Sequence, residues 1–412
     1  MKPTFWYLNH YIPSARAPKK GRAFYLLNAV ALRGYKVAVV GAARHHLAES
    51  ADEQVERFRF QAVGELLFGW ARTPAYQGNG LWRVINMLVY SWQLLFLSKS
   101  LPTEYSRPDV IIVSSVHPFH YPVALWLSWR YRARLVFEVR DIWPLTLHEL
   151  MGVPKWHPLY VALACIERLA YRSADEVISL LVNGLQHMGR RGLNAERFTY
   201  IPNGIDFTSE SIEPVVSSHD SCLVQIRRDF QFVVMYTGAH GIPNALDQLL
   251  EAAEILQRRG DKVAFVLVGS GGEKARLQRL AEELRLDNLF FLAPVPAAQV
   301  QHLLHYADAC FIGWQKKPLY KYGVSANKIF EFMKAAKPIV QCIDSVDNPV
   351  ALSGCGFDSA PQRPELLVET ILRLVAMSPQ ERETLGQKGY RFVLEEHDYQ
   401  LLAERFIRVC AG

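Results

Sequence analysis

Two charged residues three positions apart, Lys328 and Glu331, share one face of a helix-like segment in the stretch "YKYGVSANKIFEFMKAAKPIV", residues 320–340. A glycine-containing polar turn leads into the segment, and a Lys-Pro step ends it before a strand-like "IV". Ser325 and Asn327 are residue types that cap helix N-termini. Exposed N–H groups at such a terminus, joined by the Lys328 ammonium, suit a diphosphate. A carboxylate one turn further on, Glu331, suits the paired hydroxyls of a ribose, because it accepts two hydrogen bonds. Lys316, Lys317 and Lys321 lie just before. The plainer reading is a capped helix with a surface Glu–Lys pair, and the stretch alone leaves both open.

Other candidates follow strand-like runs. "YTGAHGIPNALDQLL" places Gly238, His240, Gly241 and Asn244 between a strand and a helix, where glycines let backbone approach a phosphate and the polar side chains add donors. "LVGSGGEKARL" repeats the arrangement with Gly269, Gly271 and Gly272. In the first half, "VFEVRDIWP" ends a strand with Glu138, Arg140 and Asp141, three charges whose burial is costly unless they are paired or used. Asp141 or Glu138 is placed to orient a hydroxyl, with Arg140 neutralising them. Asn9, His10 and Arg22 flank the loop after the first strand, and His117 and His120 follow another.

Absent motifs narrow the chemistry. The sequence has no DxD triplet for a metal–diphosphate complex, no GxxxxGK[ST] loop, no HExxH and no GxSxG. No metal site and no cofactor is expected. The six cysteines, 165, 222, 310, 342, 355 and 410, form no CxxC pair, which fits a reducing compartment. The first residues lack the pattern of a signal peptide.

Half of the 412 residues are apolar and 21% are charged, a globular composition long enough for two domains. The net charge of +6 is uneven: residues 1–205 hold 24 Lys and Arg against 14 Asp and Glu, so the remainder is mildly acidic. A basic first half suits an anionic partner, although dispersed basic residues and no recognition motif argue against nucleic acid.

The elements that must position these residues read as parallel α/β units. "TFWYLNH", "KVAVVGA", "DVIIVSS", "RLVFEVRD", "DEVISLL" and "FTYIPNG" are continuous apolar runs, as strands buried on both faces are, with helices between several of them. "QFVVMYTG", "VAFVLVGSG", "NLFFLAPV", "ACFIGW" and "KPIVQCI" repeat the logic in the second half. Residues 207–230 read as a polar, irregular hinge, and "DYQLLAERFIRVCA" as a final amphipathic helix. Val84–Leu97 is nearly all apolar over 14 residues, too short to span a bilayer. It reads as a buried core helix or as an interfacial helix bordered by Trp82, Arg83, Trp92 and Lys99.

Several of these pieces, in this order, resemble the family 4 retaining glycosyltransferases of GT-B fold: "YLNHY", "TPAYQGNGLWRVINM", "PDVIIVSSVHPF", "FEVRDIWPLTLHEL", "IPNGID", "YTGAHGIPNALDQLLEAA" and "YGVSANKIFEFMKAAKPIV". The resemblance is closest to the bacterial surface-polysaccharide branch that includes N-acetyl-L-fucosamine transferases of O-antigen clusters. It implies two Rossmann-like domains facing across a cleft. An acceptor domain would span 1–206, a hinge 207–230 and a nucleotide-sugar domain 231–394, with a helix at 395–412 returning to the first domain. It implies a UDP-linked donor near Gly238, His240, Gly241, Asn244, Gly269, Val295, Ser325, Asn327, Lys328 and Glu331, and an acceptor near Asn9, His10, Arg22 and His117. Asp141, Glu138, Arg140 and Lys328 carry the chemistry in this reading.

The sequence also departs from the family pattern. Glu331 matches the second glutamate of the family's paired-glutamate motif, but the first falls at Gly323, and a basic pair of the wider family falls at Ala239 and Asn244. Lys328, the helix N-terminus and Arg22 are expected to take over the phosphate charge. The implied reaction is retaining transfer to a sugar on a polyprenyl diphosphate, at the inner face of the cytoplasmic membrane. A GT-B nucleotide-sugar epimerase and a non-catalytic nucleotide-sugar-binding scaffold are the competing readings.

Overall fold

The apolar run "TFWYL" forms the first strand, β1 (Thr4–Leu8), with all five residues buried. A strand buried on both faces belongs inside a sheet covered by helices, and β1 lies in the middle of one. A computed structural model describes residues 2–13, 21–45, 57–76, 78, 80–115, 117–208, 216–345 and 347–412. Most of the polar loop after β1 and residues 209–215 of the expected hinge lie outside the described residues.

The chain forms two compact units, Met1–Asn203 with Tyr399–Gly412, and Gly204–Asp398. The first contains β1, β2 (Lys36–Ala42), β3 (Phe58–Val63), β4 (Leu66–Ala71), β5 (Val110–Ser115), β6 (Arg134–Val139), β7 (Glu176–Ser179) and β8 (Phe198–Tyr200). They pair in the order β3-β4-β2-β1-β5-β6-β7-β8. All neighbours are parallel except the β3–β4 hairpin at the edge, which the sequence reading missed. The second unit contains β9 (Phe232–Thr237), β10 (Val263–Val268), β11 (Leu289–Leu292), β12 (Ala309–Gly313), β13 (Ile339–Cys342) and β14 (Gly356–Ser359). Their order is β11-β10-β9-β12-β13-β14, all parallel.

In each sheet the strand order reverses once, between β1 and β5 and between β9 and β12. Ligands of doubly wound sheets bind beyond the carboxyl ends of the strands at such a switch point. Asn9 and His10 follow β1, and His117 and His120 follow β5. Gly238–Asn244 follow β9, and the stretch carrying Lys328 and Glu331 follows β12. The sheet order therefore gathers the candidates of each half at its switch point.

The last helix, Tyr399–Ala411, packs in the first unit. Leu402, Ala403, Phe406 and Cys410 join the core with Leu26, Leu27 and Val30 of the helix Gly21–Leu32. Arg33 bonds Gln400 and Glu404, and Tyr25 stacks on Tyr399 with ring centroids 5.7 Å apart. The stretch expected to be an irregular hinge contains a helix, Asp220–Asp229, anchored by buried Leu223 and Ile226.

The apolar segment at 84–97 is neither one continuous helix nor wholly buried. It is a helix, Leu81–Gln93, followed by a 3-10 turn, Leu94–Phe96, and a short helix, Leu97–Ser100. Met87, Tyr90, Leu94 and Leu97 are buried, while Trp82 and Trp92 are each 63% exposed beside exposed Leu81 and Leu88. The Tyr121–Tyr131 helix packs against the Leu94–Phe96 turn and exposes two more tryptophans, Trp126 and Trp129. Among the described residues no helix is long and apolar enough to cross a membrane.

Candidate active site

Lys328 is the best-held charge at the second unit's switch point. Its ammonium donates to Tyr236 Oη at 2.7 Å and to Asn244 Oδ1 at 2.8 Å, and lies 4.4 Å from the centre of the Tyr236 ring. The two partners are themselves fixed: Tyr236 Oη and Asn244 Nδ2 both donate to the Ala239 carbonyl. So the loop that lacks the family's basic pair at 239 and 244 holds a lysine from another segment. Burial lowers the Lys328 pKa to about 8. Gly238 faces the ammonium, and a Cβ there would lie 3.2 Å from Nζ.

Two glycines of the next loop are required by its packing. A Cβ at Gly269 would sit 1.9 Å from the Gly238 carbonyl oxygen, and one at Gly271 would sit 2.3 Å from that of His240. These two glycines let the loops after β9 and β10 pack backbone to backbone. His240 N–H donates to Ser270 O, and Glu273 N–H to His240 O. His240 is buried and neither ring nitrogen has a partner. Burial, then the charges of Lys274 and Lys328, lower its pKa to about 4, so it is neutral at pH 7. Lys274 caps the Gly269 and Leu292 carbonyls, at 2.8 and 2.9 Å. Gly241 is half-buried, and Val295 is half-buried in the loop after β11.

The helix of the 320–340 stretch spans Asn327–Lys334. Its N-cap position is Ala326, not Ser325 or Asn327, and alanine offers no side-chain acceptor to the leading N–H groups. Ile329 N–H donates to the Ala326 carbonyl, and the positive end of the macrodipole lies beside Lys328. Glu331 does not pair with Lys328. Its Oε2 and its main-chain carbonyl accept from Gln301 Nε2 at 2.8 and 3.0 Å. Burial raises its pKa, against the Gln301 bond and the Lys334 charge. Gly323, where the family's first glutamate falls, has φ +112°, a conformation that resists a side chain.

In the first unit, Glu138 is buried with both oxygens occupied. Oε1 accepts from Arg22 Nε at 3.0 Å, while Oε2 accepts from Ser114 Oγ at 2.8 Å and from Tyr7 Oη. Burial alone would raise its pKa, but Arg22, Arg140 and these hydroxyl donors more than reverse that. Arg22 spends its remaining nitrogens on the Ile201 and Pro202 carbonyls. The pair is a brace that ties β6, the first helix and the chain after β8 together. The expectations that Glu138 orients a hydroxyl and that Arg22 meets a phosphate are corrected accordingly: both side chains are buried and occupied.

Asp141, three residues on, is exposed, with no side-chain partner among the described residues, and Arg140 beside it is half-buried. His10, His117 and His120 cluster beyond the strands, with ring centroids 4.6 Å apart for His10–His117 and 5.2 Å for His117–His120. Burial first, then mutual repulsion, lowers the pKa of His10 and His117, and burial lowers His120 to about 4. Both ring nitrogens of His117 and the Asn9 amide nitrogen lack partners. Among the described residues no group of three or more His, Cys, Asp or Glu is arranged to hold a metal.

Sequence reasoning passed over Gln301 and Tyr236. Neither carries a motif, and the only available signal was Tyr236 near the end of a strand next to a candidate loop.

The two sheets have the GT-B fold, and family matches over both halves show a glycosyltransferase of the family 4 type. The family described as "Glycosyl transferase 4-like domain" matches residues 22–204, and that described as "Glycosyl transferases group 1" matches residues 227–392. The chain is 24% identical over 295 residues, 70% of each chain, to the Escherichia coli (strain K12) protein named as the colanic acid biosynthesis glycosyl transferase WcaI. Two solved structures share the fold. Anabaena HepE in complex with UDP has a TM-score of 0.66 at 17% identity over 100% of both chains. WaaG, a glycosyltransferase involved in lipopolysaccharide biosynthesis, has a TM-score of 0.68 at 15% identity over 99% of this chain and 100% of its own.

Proposed function

We propose that the protein transfers a sugar, with retention, from a UDP-sugar to a hydroxyl of a lipid-linked sugar in surface polysaccharide biosynthesis, without a metal. The observation that carries the donor part is the Lys328 ammonium, held between Tyr236 and Asn244 at the head of a helix whose next turn presents Glu331. A leaving diphosphate gains charge as the C1–O bond breaks. Preorganised N–H groups and an ammonium stabilise that charge without reorganising. The acceptor oxygen forms its bond to C1 from the same face, and its proton passes to a diphosphate oxygen. Asp141, whose carboxylate makes no hydrogen bond among the described residues, orients the acceptor or the sugar. UDP as the nucleotide is supported by the HepE complex, and the polysaccharide role by the names of WcaI and WaaG.

Peripheral contact with the inner membrane face is the second part of the reading. Trp82, Trp92, Trp126 and Trp129 are exposed on adjoining helices of the basic half, near exposed Lys99, Arg130 and Arg132. Aromatic side chains with flanking cations suit an anionic bilayer interface.

Thermal shift with UDP, GDP and dTDP, with and without magnesium, tests the donor site. A metal-independent rise with UDP alone, lost in Lys328→Met and Glu331→Ala, is expected. No rise with any nucleotide sinks the assignment. Binding without turnover on any acceptor moves the scaffold reading forward. The anomeric configuration of the product by NMR tests retention, and equal activity on water-soluble acceptors removes the lipid-linked one.

A further inference from the structure

Glu331 lies on the helix after β12, and Gln301 on the preceding helix, Ala297–Leu304, 30 residues earlier. The Gln301 amide nitrogen meets two oxygens, Glu331 Oε2 at 2.8 Å and Glu331 O at 3.0 Å. Both partners are acceptors, so only the NH2 end of the amide can face them, and the orientation of the side chain is fixed by chemistry. The bond clamps one carboxylate oxygen and leaves Oε1 as the oxygen able to turn outward. Neither helix is free to move away: buried Leu303 and Leu304 anchor the first, and buried Ile329, Phe330, Phe332 and Met333 anchor the second. A carboxylate with one oxygen tethered from a rigid element presents the other in a defined direction.

We infer that Gln301 is a positioning residue for ribose recognition, aiming the Glu331 carboxylate at the sugar hydroxyls of the nucleotide. The inference rests on the donor-site reading above. A free carboxylate on a short helix rotates about its side-chain torsions and pays for ordering when it binds; the Gln301 bond supplies that order beforehand. It also opposes the upward pKa shift that burial gives Glu331, favouring the ionised, accepting form that a ribose diol needs. Removing the amide spares the helix itself, because the Glu331 carbonyl also accepts from Ala335 N–H at 3.1 Å.

Calorimetric titration of UDP and of 2′-deoxyuridine diphosphate into the full-length protein reads this directly and needs no acceptor. The wild type is expected to favour UDP by about 10-fold or more, the size of a lost hydrogen bond to a charged group. Gln301→Leu is expected to weaken UDP by roughly 10-fold, to bring the two ligands within about 3-fold, and to add nothing further in a Glu331→Ala background. Gln301→Glu separates positioning from packing. It sets two carboxylates in contact, so its UDP affinity relative to the wild type at the same pH is expected to fall at pH 8 and to recover toward pH 6, where a shared proton restores the donor. An unchanged ratio of UDP to deoxy-UDP affinity in Gln301→Leu, or a flat pH response in Gln301→Glu, overturns the inference. If Gln301→Leu fails to fold, the Gln301→Glu pH response decides. If Glu331→Ala itself leaves UDP binding intact, the donor-site reading has failed instead.

Discussion

Glu138 and Glu331 are both drawn out of solvent, both near the carboxyl end of a sheet, and they do opposite things. Glu138 has both oxygens occupied by Arg22, Tyr7 and Ser114, and its pKa falls despite burial. Glu331 has one oxygen held by Gln301, and its pKa rises because burial outweighs that single bond. A buried carboxylate with both oxygens occupied belongs to the fold. One that is tethered and half-satisfied is a site waiting for donors. The cations divide the same way. Arg22 is consumed by Glu138 and two carbonyls, whereas Lys328 is held by two neutral groups that leave its charge uncompensated.

The comparison breaks first at Glu138. Glu138→Ala leaves Arg22 buried and unpaired, and is expected to cost about 3–5 kcal/mol of stability. Urea denaturation followed at the first unit measures it; a loss below about 1 kcal/mol would show that the brace is dispensable. UDP affinity of the folded protein should stay the same.

Lys328→Met is expected to reverse that pattern, with stability nearly unchanged and kcat down by about 10²–10³-fold, the size of losing one preorganised group at a developing oxyanion. Steady-state kinetics on UDP-sugar turnover decides, and a change confined to KM would remove Lys328 from the chemical step.

Smaller effects come from pH. UDP binding needs the Lys328 ammonium, whose pKa is about 8, so affinity is expected to fall above pH 8, approaching tenfold per unit. A nucleotide raises that pKa, so the wild type takes up a proton on binding at pH 8–9. Calorimetry in buffers of different ionisation heat detects this, and Lys328→Met should abolish it. The same group acts on stability with the opposite sign. Between about 8 and the ordinary lysine pKa the unfolded chain holds a proton that the folded one has released, so this contribution to stability rises with pH.

The histidine cluster gives the smallest and most local signal. His10, His117 and His120 face one another and Arg83, with pKa values pushed down in the folded state. The unfolded chain therefore binds more protons as pH falls below about 6.5, and the first unit loses stability on that side. Melting curves at pH 7 and pH 5 should show a loss that Lys328→Met leaves untouched. A flat response would mean that the three imidazoles are solvated.

Local pattern carried much of this. Continuous apolar runs identified six of the first unit's eight strands and five of the second unit's six, because a strand buried on both faces has no polar face to show. Edge strand β3 escaped because it is mostly half-buried and carries Arg59 and Gln61, and β14 because it is four residues long with an exposed Asp358; β4, fully buried and apolar, carries the signature and was passed over. Lys328 and Glu331 were legible from their spacing on one helix face.

The partners were not legible, and they decide the roles. Arg22 meets Glu138 across 116 residues, and Lys328 meets Tyr236 across 92. By itself the sequence determined most of the strands and helices, and which charged groups stand at their ends, since periodicity and propensity act over a few residues. Tertiary structure alone decided which of those charges are satisfied, which glycines are needed for packing, and which carboxylate keeps an open oxygen. Hydrogen-bond satisfaction depends on atoms brought together by the sheet order, and no local pattern encodes that order.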